Sequence, residues 1–480
     1  MDTSYLPLAE HARRLRHREQ TAVELVEHCT RNFLRTEDRL NAYKTWDGDR
    51  ARKLAEASDA LFAQGVDLGP LMGIPVSVKD LYGVPGLPVF AGSAEQLPEA
   101  WQAAGPVISS LQRQLGIVVG KTHTVEFAFG GIGVNAHWGT PFNPWSASEH
   151  RAPGGSSSGA GVSLVQGSAL LALGTDTAGS VRVPASMTGQ VGLKTTYGRW
   201  SLDGIVPLSS SLDTPGLLAR TVEDLAFAFS AIDDRGLRVA SPGTPRPLDG
   251  LRIGVPDNFF WHDIDSSIGA LVESTIERLA QAGARIVRLQ LSHCDEAYEI
   301  FRQGGLAAPE LAAYLNEHFP HKIDRLDPVV RARVQGADGI SSVEYLRRKA
   351  VLKRCAAGAT RIYDEVDVLL SPTVPISPPR LTDIAEVSAY GPANMMALRN
   401  TVISNLFGWC ALTLPVGLDA SRMPVGLQLM GPPMAEERLI GIALNIESLI
   451  GRGFDVLGRA PRWPDFSCVS TNPRRGRRFI

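Results

Sequence analysis

Cysteine is scarce in this chain. The five residues Cys29, Cys294, Cys355, Cys410 and Cys468 are odd in number, scattered and never in CxxC spacing. That excludes a disulfide framework and a paired-cysteine zinc site, and it reads as reduced thiols of a cytoplasmic protein. The ten histidines contain no HExxH pattern, and none follows His321. His318 and His321 stand in HxxH spacing without an acidic ligand pattern, so they read as surface residues and no metal is expected. Charge nearly cancels at −2, which leaves no basic field for nucleic acid or for a membrane surface. No stretch of about 18 apolar residues is present to cross a bilayer. The start, Met1 to Pro7, is neither basic nor followed by an apolar run, so no signal peptide is expected.

What is present is ordinary globular material, 44% hydrophobic and 20% charged over 480 residues. That length exceeds the usual domain of about 50–250 residues, so the choice lies between several domains and one large α/β sheet. Apolar positions recur every three to four residues over 7–62, with Thr21 as a start signal, and predict helices. From Leu68 glycine and proline become dense, and the β-branched runs Ile74–Val78 and Ile117–Val119 predict buried strands. Gly159–Gln166 predicts a helix, Ala169–Leu173 a strand, and the chain from Val183 a further helix or turn. Leu251–Val255, Arg285–Leu291, Val366–Pro372, Ala411–Val416 and Val425–Met430 read as strands. Ile268–Ala282, most of 294–361 and Glu436–Ile450 read as helices. This alternation predicts an α/β fold with a central mixed or parallel sheet covered by helices on both faces. The expected layout is an N-terminal helical segment over 1–64 packed on the core, one large domain over 65–465, and a basic, frayed tail over 466–480. The Pro/Gly-rich stretch from Ser241 to Pro247 is read as a surface loop within that domain.

Three motif matches fail on context. Gly116–Thr122 resembles a phosphate-binding loop but is one residue short, with Leu115 where glycine is required. Gly131–Ala136 fits GxGxxA without a clear strand before it or a helix after it, and reads as a loop near a pocket. Gly155–Gly159 fits GxSxG around Ser157. A nucleophile elbow needs a strand immediately before it and a histidine late in the chain; the residues before Ser157 read as loop, and no histidine follows His321.

The constellation that survives is Lys79 in Gly73-Ile-Pro-Val-Ser-Val-Lys-Asp80, Ser156 in Pro153-Gly-Gly-Ser-Ser-Ser-Gly159, and Ser180 in Gly174-Thr-Asp-Thr-Ala-Gly-Ser-Val-Arg-Val-Pro184. A serine hydroxyl is a weak nucleophile until a base takes its proton, and a second serine with an uncharged lysine can do that without histidine. With Gly120-Lys-Thr, Glu126-Phe and Gly192-Leu-Lys-Thr-Thr-Tyr-Gly198, these segments resemble the amidase signature family over most of the chain. The resemblance implies a single large domain with a central mixed sheet and a cofactor-free amidase. It assigns Ser180 as nucleophile, Ser156 as the bridging serine after a cis peptide, and Lys79 as base. The oxyanion hole would come from the backbone N–H groups of Thr177, Ala178, Gly179 and Ser180. Ala178 stands where the family commonly has glycine.

Asp176, Arg182 and Ser157 are read as supports of these loops, and Lys194 as structural. The loop through Phe129, Gly130, Gly131 and Ile132 is expected to border the substrate. Trp138, Phe129 and Tyr82 fit a pocket wall or the core equally, and Arg331 and Arg333 read as a solvated helix face. The expected partner is a small-molecule amide, with no nucleic acid and no membrane; a homodimer stays open. Three rival readings stand. The first is a glutaminase subunit of an amidotransferase, which would need a second protein. The second is a histidine-dependent esterase using Ser157. The third is a binding protein that kept the scaffold without catalysis.

Overall fold

Apolar runs bounded by glycine and proline become the strands of one eleven-stranded sheet. The computed structural model describes residues 6–233, 235 and 248–461. The Ser241–Pro247 stretch, Cys468 and the basic tail lie outside them. The strands are β1 (Tyr43–Trp46), β2 (Pro75–Lys79), β3 (Ile117–Thr122), β4 (Leu171–Asp176), β5 (Val191–Lys194), β6 (Thr214–Ala219), β7 (Arg252–Pro256), β8 (Arg285–Leu289), β9 (Val368–Pro372), β10 (Cys410–Leu418) and β11 (Pro424–Gly431). Their spatial order is β1-β3-β2-β4-β6-β5-β10-β11-β9-β7-β8.

The sheet is mixed. β2 runs parallel to both β3 and β4, with Val78 opposite Leu173. β7 runs parallel to β8 and β9. The strands between these two parallel groups pair antiparallel. Every residue of β2, β3 and β4 is buried, as expected for strands covered on both faces, whose sequences read as continuous apolar runs. Helices flank the sheet: Ser158–Gln166 packs on β2, β3 and β4, Arg182–Thr188 on β5, β10 and β11, and Glu436–Ile450 on β10 and β11. Among the described residues no helix is long and apolar enough to cross a membrane.

The parallel pairing decides where chemistry can gather. It brings the C-terminal ends of β2, β3 and β4 to one edge, where open α/β sheets place their ligands. β2 ends on Lys79 and β4 on Asp176.

Among the elements that the sequence reading did not give, four have a plain physical reason. β1 interrupts the stretch read as helical; four residues between two helices are too short to show an alternation, and pairing with β3 makes the strand. β5 and β6 carry Gly192, Pro215 and Gly216, which disguise strand character. The helix Val387–Leu406 contains Gly391 and Pro392, and its buried face is rich in polar residues, so apolar periodicity is missing.

Candidate active site

Lys79 is the last residue of β2 and is fully buried. Its Nζ lies 2.7 Å from Ser156 Oγ, 2.8 Å from Thr175 Oγ1 and 3.5 Å from the Thr175 carbonyl. The register explains the contact, because Val78 sits opposite Leu173 on the parallel neighbour and the lysine therefore projects at the level of Thr175. Burial pushes the Lys79 ammonium down to about 7, against the pull of the Asp213 and Asp176 carboxylates.

Ser156 follows a cis peptide bond from Gly155. Its carbonyl accepts from the N–H groups of Val125 at 3.1 Å and Ser158 at 2.8 Å. Ser157 N–H donates to the Ser180 carbonyl at 3.2 Å, which latches the loop carrying Ser156 to the loop carrying Ser180. Ser157 Oγ points to the Thr175 carbonyl at 3.3 Å. The residues before it form a loop and those after it the helix Ser158–Gln166, so no strand delivers Ser157 as an elbow would require.

The Ser180 loop is built around Asp176. Its carboxylate accepts from Gly179 N–H at 2.8 Å and Val181 N–H at 3.1 Å, and it pairs with Arg182 at 2.9 Å where both side chains are fully buried. Burial opposes the Asp176 charge, yet Arg182 beside it, helped by Lys194 and Asn405, holds the carboxyl down at about 2. Arg182 in turn donates to the Thr401 carbonyl at 2.8 Å, Ser404 Oγ at 2.6 Å, Gln428 Oε1 at 2.6 Å and Asn405 Oδ1 at 2.6 Å. The loop is thus anchored to the helix Val387–Leu406 and to β11. At Gly179 φ is +136°, and a Cβ there would fall 2.1 Å from Thr401 Oγ1, so only glycine fits. Ala178 has no positive φ, and its carbonyl accepts from Thr401 Oγ1 at 2.7 Å, so alanine is unstrained there.

One expectation is corrected. The Gly179 N–H is directed into the Asp176 carboxylate, and a donor engaged by a buried carboxylate does not face a substrate oxygen. The candidate oxyanion donors narrow to Thr177, Ala178 and Ser180.

Replacing Arg182 by leucine leaves Asp176 charged, buried and unpaired. We expect a loss of about 3–5 kcal/mol in stability, read as a lower urea midpoint, with Asp176→Asn/Arg182→Leu recovering part of it.

The loop from Phe129 to Ile132 abuts the Ser156 loop through Gly155 N–H, which donates to the Gly131 carbonyl at 2.8 Å. Gly131 N–H donates to Asn394 Oδ1 at 2.7 Å. Ile132 joins Val183, Leu398 and the half-buried Ala178, Val329 and Phe301 in one apolar cluster, which gives the Ser180 loop an apolar neighbour. Phe129 and Tyr390 border a cavity of about 280 Å³. Arg333 departs from the solvated-face reading: it is half-buried, donates to the Phe129 carbonyl at 2.8 Å and lies over the Phe129 ring. The cause is that its helix packs against this loop. Arg331, also half-buried, donates to the Asp324 carbonyl at 3.2 Å. Tyr82 is core, its hydroxyl donating to the Gly174 carbonyl at 2.6 Å. Trp138 is half-buried beside Lys44 and Phe90, away from the serines. Lys194 donates to the Thr195 and Trp409 carbonyls, both at 2.7 Å.

Two residues of this site escaped sequence reading. Thr175 holds Lys79, and it lies inside a segment already singled out for Ser180. Asp213 accepts from Thr177 Oγ1 at 2.5 Å and from the N–H groups of Leu208 and Ser209 at 2.8 and 2.9 Å. An aspartate between Leu212 and Thr214, next to an apolar strand, was the available signal. Burial pushes its carboxyl up to about 6.

The geometry thus places a buried lysine at the end of β2 against Ser156, in a loop latched to the one that carries Ser180. The Amidase family matches residues 24–440, and the chain belongs to that amidase signature family. It is 73% identical over 464 residues, 97% of this chain and 100% of the relative, to a 2-amino-5-chloromuconic acid deaminase of Comamonas testosteroni. It is 31% identical, over 94% of this chain and 98% of the relative, to a glutamyl-tRNA(Gln) amidotransferase subunit of Salinispora arenicola. A crystal structure of an amidase superposes with a TM-score of 0.83 at 29% identity, covering 93% of this chain and all of the other. The protein is an enzyme of the amidase class, a hydrolase of carbon–nitrogen bonds.

Proposed function

We propose that the protein releases ammonia from a small unsaturated amino dicarboxylic acid of the 2-aminomuconate type, with Ser180 as nucleophile, Ser156 as the bridging serine and Lys79 as base. The observation that carries the chemistry is the buried Lys79 amine on Ser156, in a loop latched to that of Ser180. The substrate class rests on the 73% identity to the Comamonas testosteroni deaminase.

A neutral Lys79 has two N–H groups and one lone pair. Thr175 offers two acceptors, its hydroxyl and its carbonyl, and the lone pair is then left for the Ser156 O–H. The Ser156 oxygen keeps acceptor capacity for the Ser180 proton. Ser180 Oγ adds to the trigonal carbon that bears nitrogen, which in the imine tautomer of a 2-aminomuconate is C2. The C=N π pair moves to nitrogen, which takes the proton from Ser180 through Ser156. Ammonia leaves with a second proton from the Lys79–Ser156 pair. Water adds to the same carbon, returns one proton to the Lys79–Ser156 pair and passes its other proton to Ser180 Oγ as Ser180 departs, and a 2-oxo acid is released; the net change is one water consumed and one ammonia formed. With a carboxylic amide the same relay gives an acyl-enzyme. Its oxyanion would be met by the N–H groups of Thr177, Ala178 and Ser180, each contributing about 3–4 kcal/mol.

A glutaminase component of an amidotransferase is the second reading, favoured by the 31% identity to the Salinispora arenicola protein. The two separate in one assay: ammonia release by the purified chain alone from 2-aminomuconate, glutamine, and aliphatic and aromatic primary amides. We expect release from 2-aminomuconate with no second protein present. Release from glutamine alone would replace the proposal with the glutaminase reading. The described cysteines are buried free thiols, which fits a reducing cytoplasm.

A further inference from the structure

Far along the chain from the serine site, His293, Glu296 and Cys355 converge, with one ligand atom from each within 4.8 Å of the others. His293 and Glu296 stand one turn apart at the start of the helix Cys294–Arg302, and Cys355 comes from the helix Ser342–Thr360 packed against it. We propose that these three side chains form a binding site for a borderline-soft divalent transition metal, zinc in the first instance, joining the two helices.

The geometry is the first argument. Zinc bonds of about 2.0–2.3 Å to nitrogen, oxygen and sulfur in a tetrahedron place the ligand atoms about 3.4–3.6 Å apart. Glu296 Oε2 lies 3.5 Å from His293 Nδ1 and 3.3 Å from Cys355 Sγ, so two tetrahedral edges are already formed without an ion. The surroundings are the second argument. Arg354 pairs with Glu296 Oε1 and leaves Oε2 to the cluster, as an outer partner orients a ligating carboxylate. Gly358, one turn beyond Cys355, makes room for the imidazole: a Cβ there would fall 2.6 Å from His293 Nε2. Cys355 is buried while His293 and Glu296 reach solvent, so the site has a sulfur floor and an open side for entry and for a fourth ligand from water. Imidazole, carboxylate and thiolate together suit zinc over magnesium or calcium.

Binding exchanges the Cys355 thiol proton for the metal. Sulfur forms a bond to the ion and one proton passes to solvent. The charged and titratable groups facing the sulfur are His293, Glu296 and Cys294 from one helix and Arg354 from its own.

The test is calorimetric titration of zinc chloride into the full chain after EDTA treatment, beside cobalt(II) absorption. We expect one ion bound in the cluster, and an affinity at least about tenfold weaker in Cys355→Ser and in His293→Gln. Cys410→Ser and Cys468→Ser should bind as wild type. Both cluster variants should keep ammonia release, which reports their folding. Cobalt in the wild-type chain should give a thiolate charge-transfer band, and that measurement needs no variant. A cobalt spectrum with oxygen and nitrogen ligands only, no saturable zinc uptake, or uptake unchanged in both cluster variants would overturn the site.

Discussion

Ser180→Ala is expected to lower ammonia release by a factor on the order of 10⁴–10⁶, with urea unfolding and substrate affinity close to wild type. The hydrogen-bond frame of the loop does not depend on the Ser180 hydroxyl. The Ser157–Ser180 latch and the Asp176 cradle use backbone groups. Removing one oxygen therefore takes away the attacking atom without dismantling the loop. Ser157→Ala is the matched control, and it should lose less than about tenfold, because Ser157 Oγ makes only a local bond to the Thr175 carbonyl. Parallel measurement of kcat and KM for both variants decides between the two serines. A large kcat loss at Ser157 with activity kept at Ser180 would restore the esterase reading and refute the assignment of the nucleophile.

Lys79, Ser156 and Ser180 were easier to single out in the sequence than the residues that hold their loops, and the reason is physical. Lys79, Ser156 and Ser180 lie in glycine-rich segments whose order along the chain is itself a signature, and β2 and β4 before them are plain apolar runs. The parallel pairing of β2 with β4, which brings Lys79 to Thr175, is a long-range contact that no local pattern states. The anchors of Arg182 are further still, since Thr401, Ser404 and Asn405 come from a helix whose polar buried face hides it from an apolar-periodicity reading. Asp213 was missed for a related reason. A buried carboxylate in the turn just before β6 has meaning only once Thr177 and Lys79 are known to face it. Arg333 shows the converse error, where a helix position that reads as solvated becomes a loop clamp when its helix docks on Phe129.

Lys79→Met should separate catalysis from folding. Turnover is expected to fall by about 10²–10⁴, the usual share of a positioned base, because Ser156 loses the group that takes its proton. The wild-type rate should rise with pH along a limb near pH 7, where burial places the lysine; only the neutral amine accepts a proton, so activity falls below that pH. In the variant this limb should vanish. Asp213→Asn should move it toward lower pH, since a negative charge facing the ammonium is removed. Stability depends on pH through the same group. Between the folded value of about 7 and an unfolded value of about 10.4, the unfolded chain holds a proton that the folded chain does not. Stability therefore rises with pH through this window, and the destabilisation is fully present below pH 7 and gone above roughly 10.4, with a size on the order of 4 kcal/mol at neutral pH. Methionine fills the space without charge and leaves Ser156 and Thr175 each one partner short, at about 1 kcal/mol apiece. Lys79→Met should then unfold at the same or a higher urea concentration than wild type at pH 7, with the advantage shrinking toward pH 10. A variant that is inactive and also markedly less stable at pH 7 would mean that the lysine serves the fold as a charged group, and the base would have to be sought elsewhere.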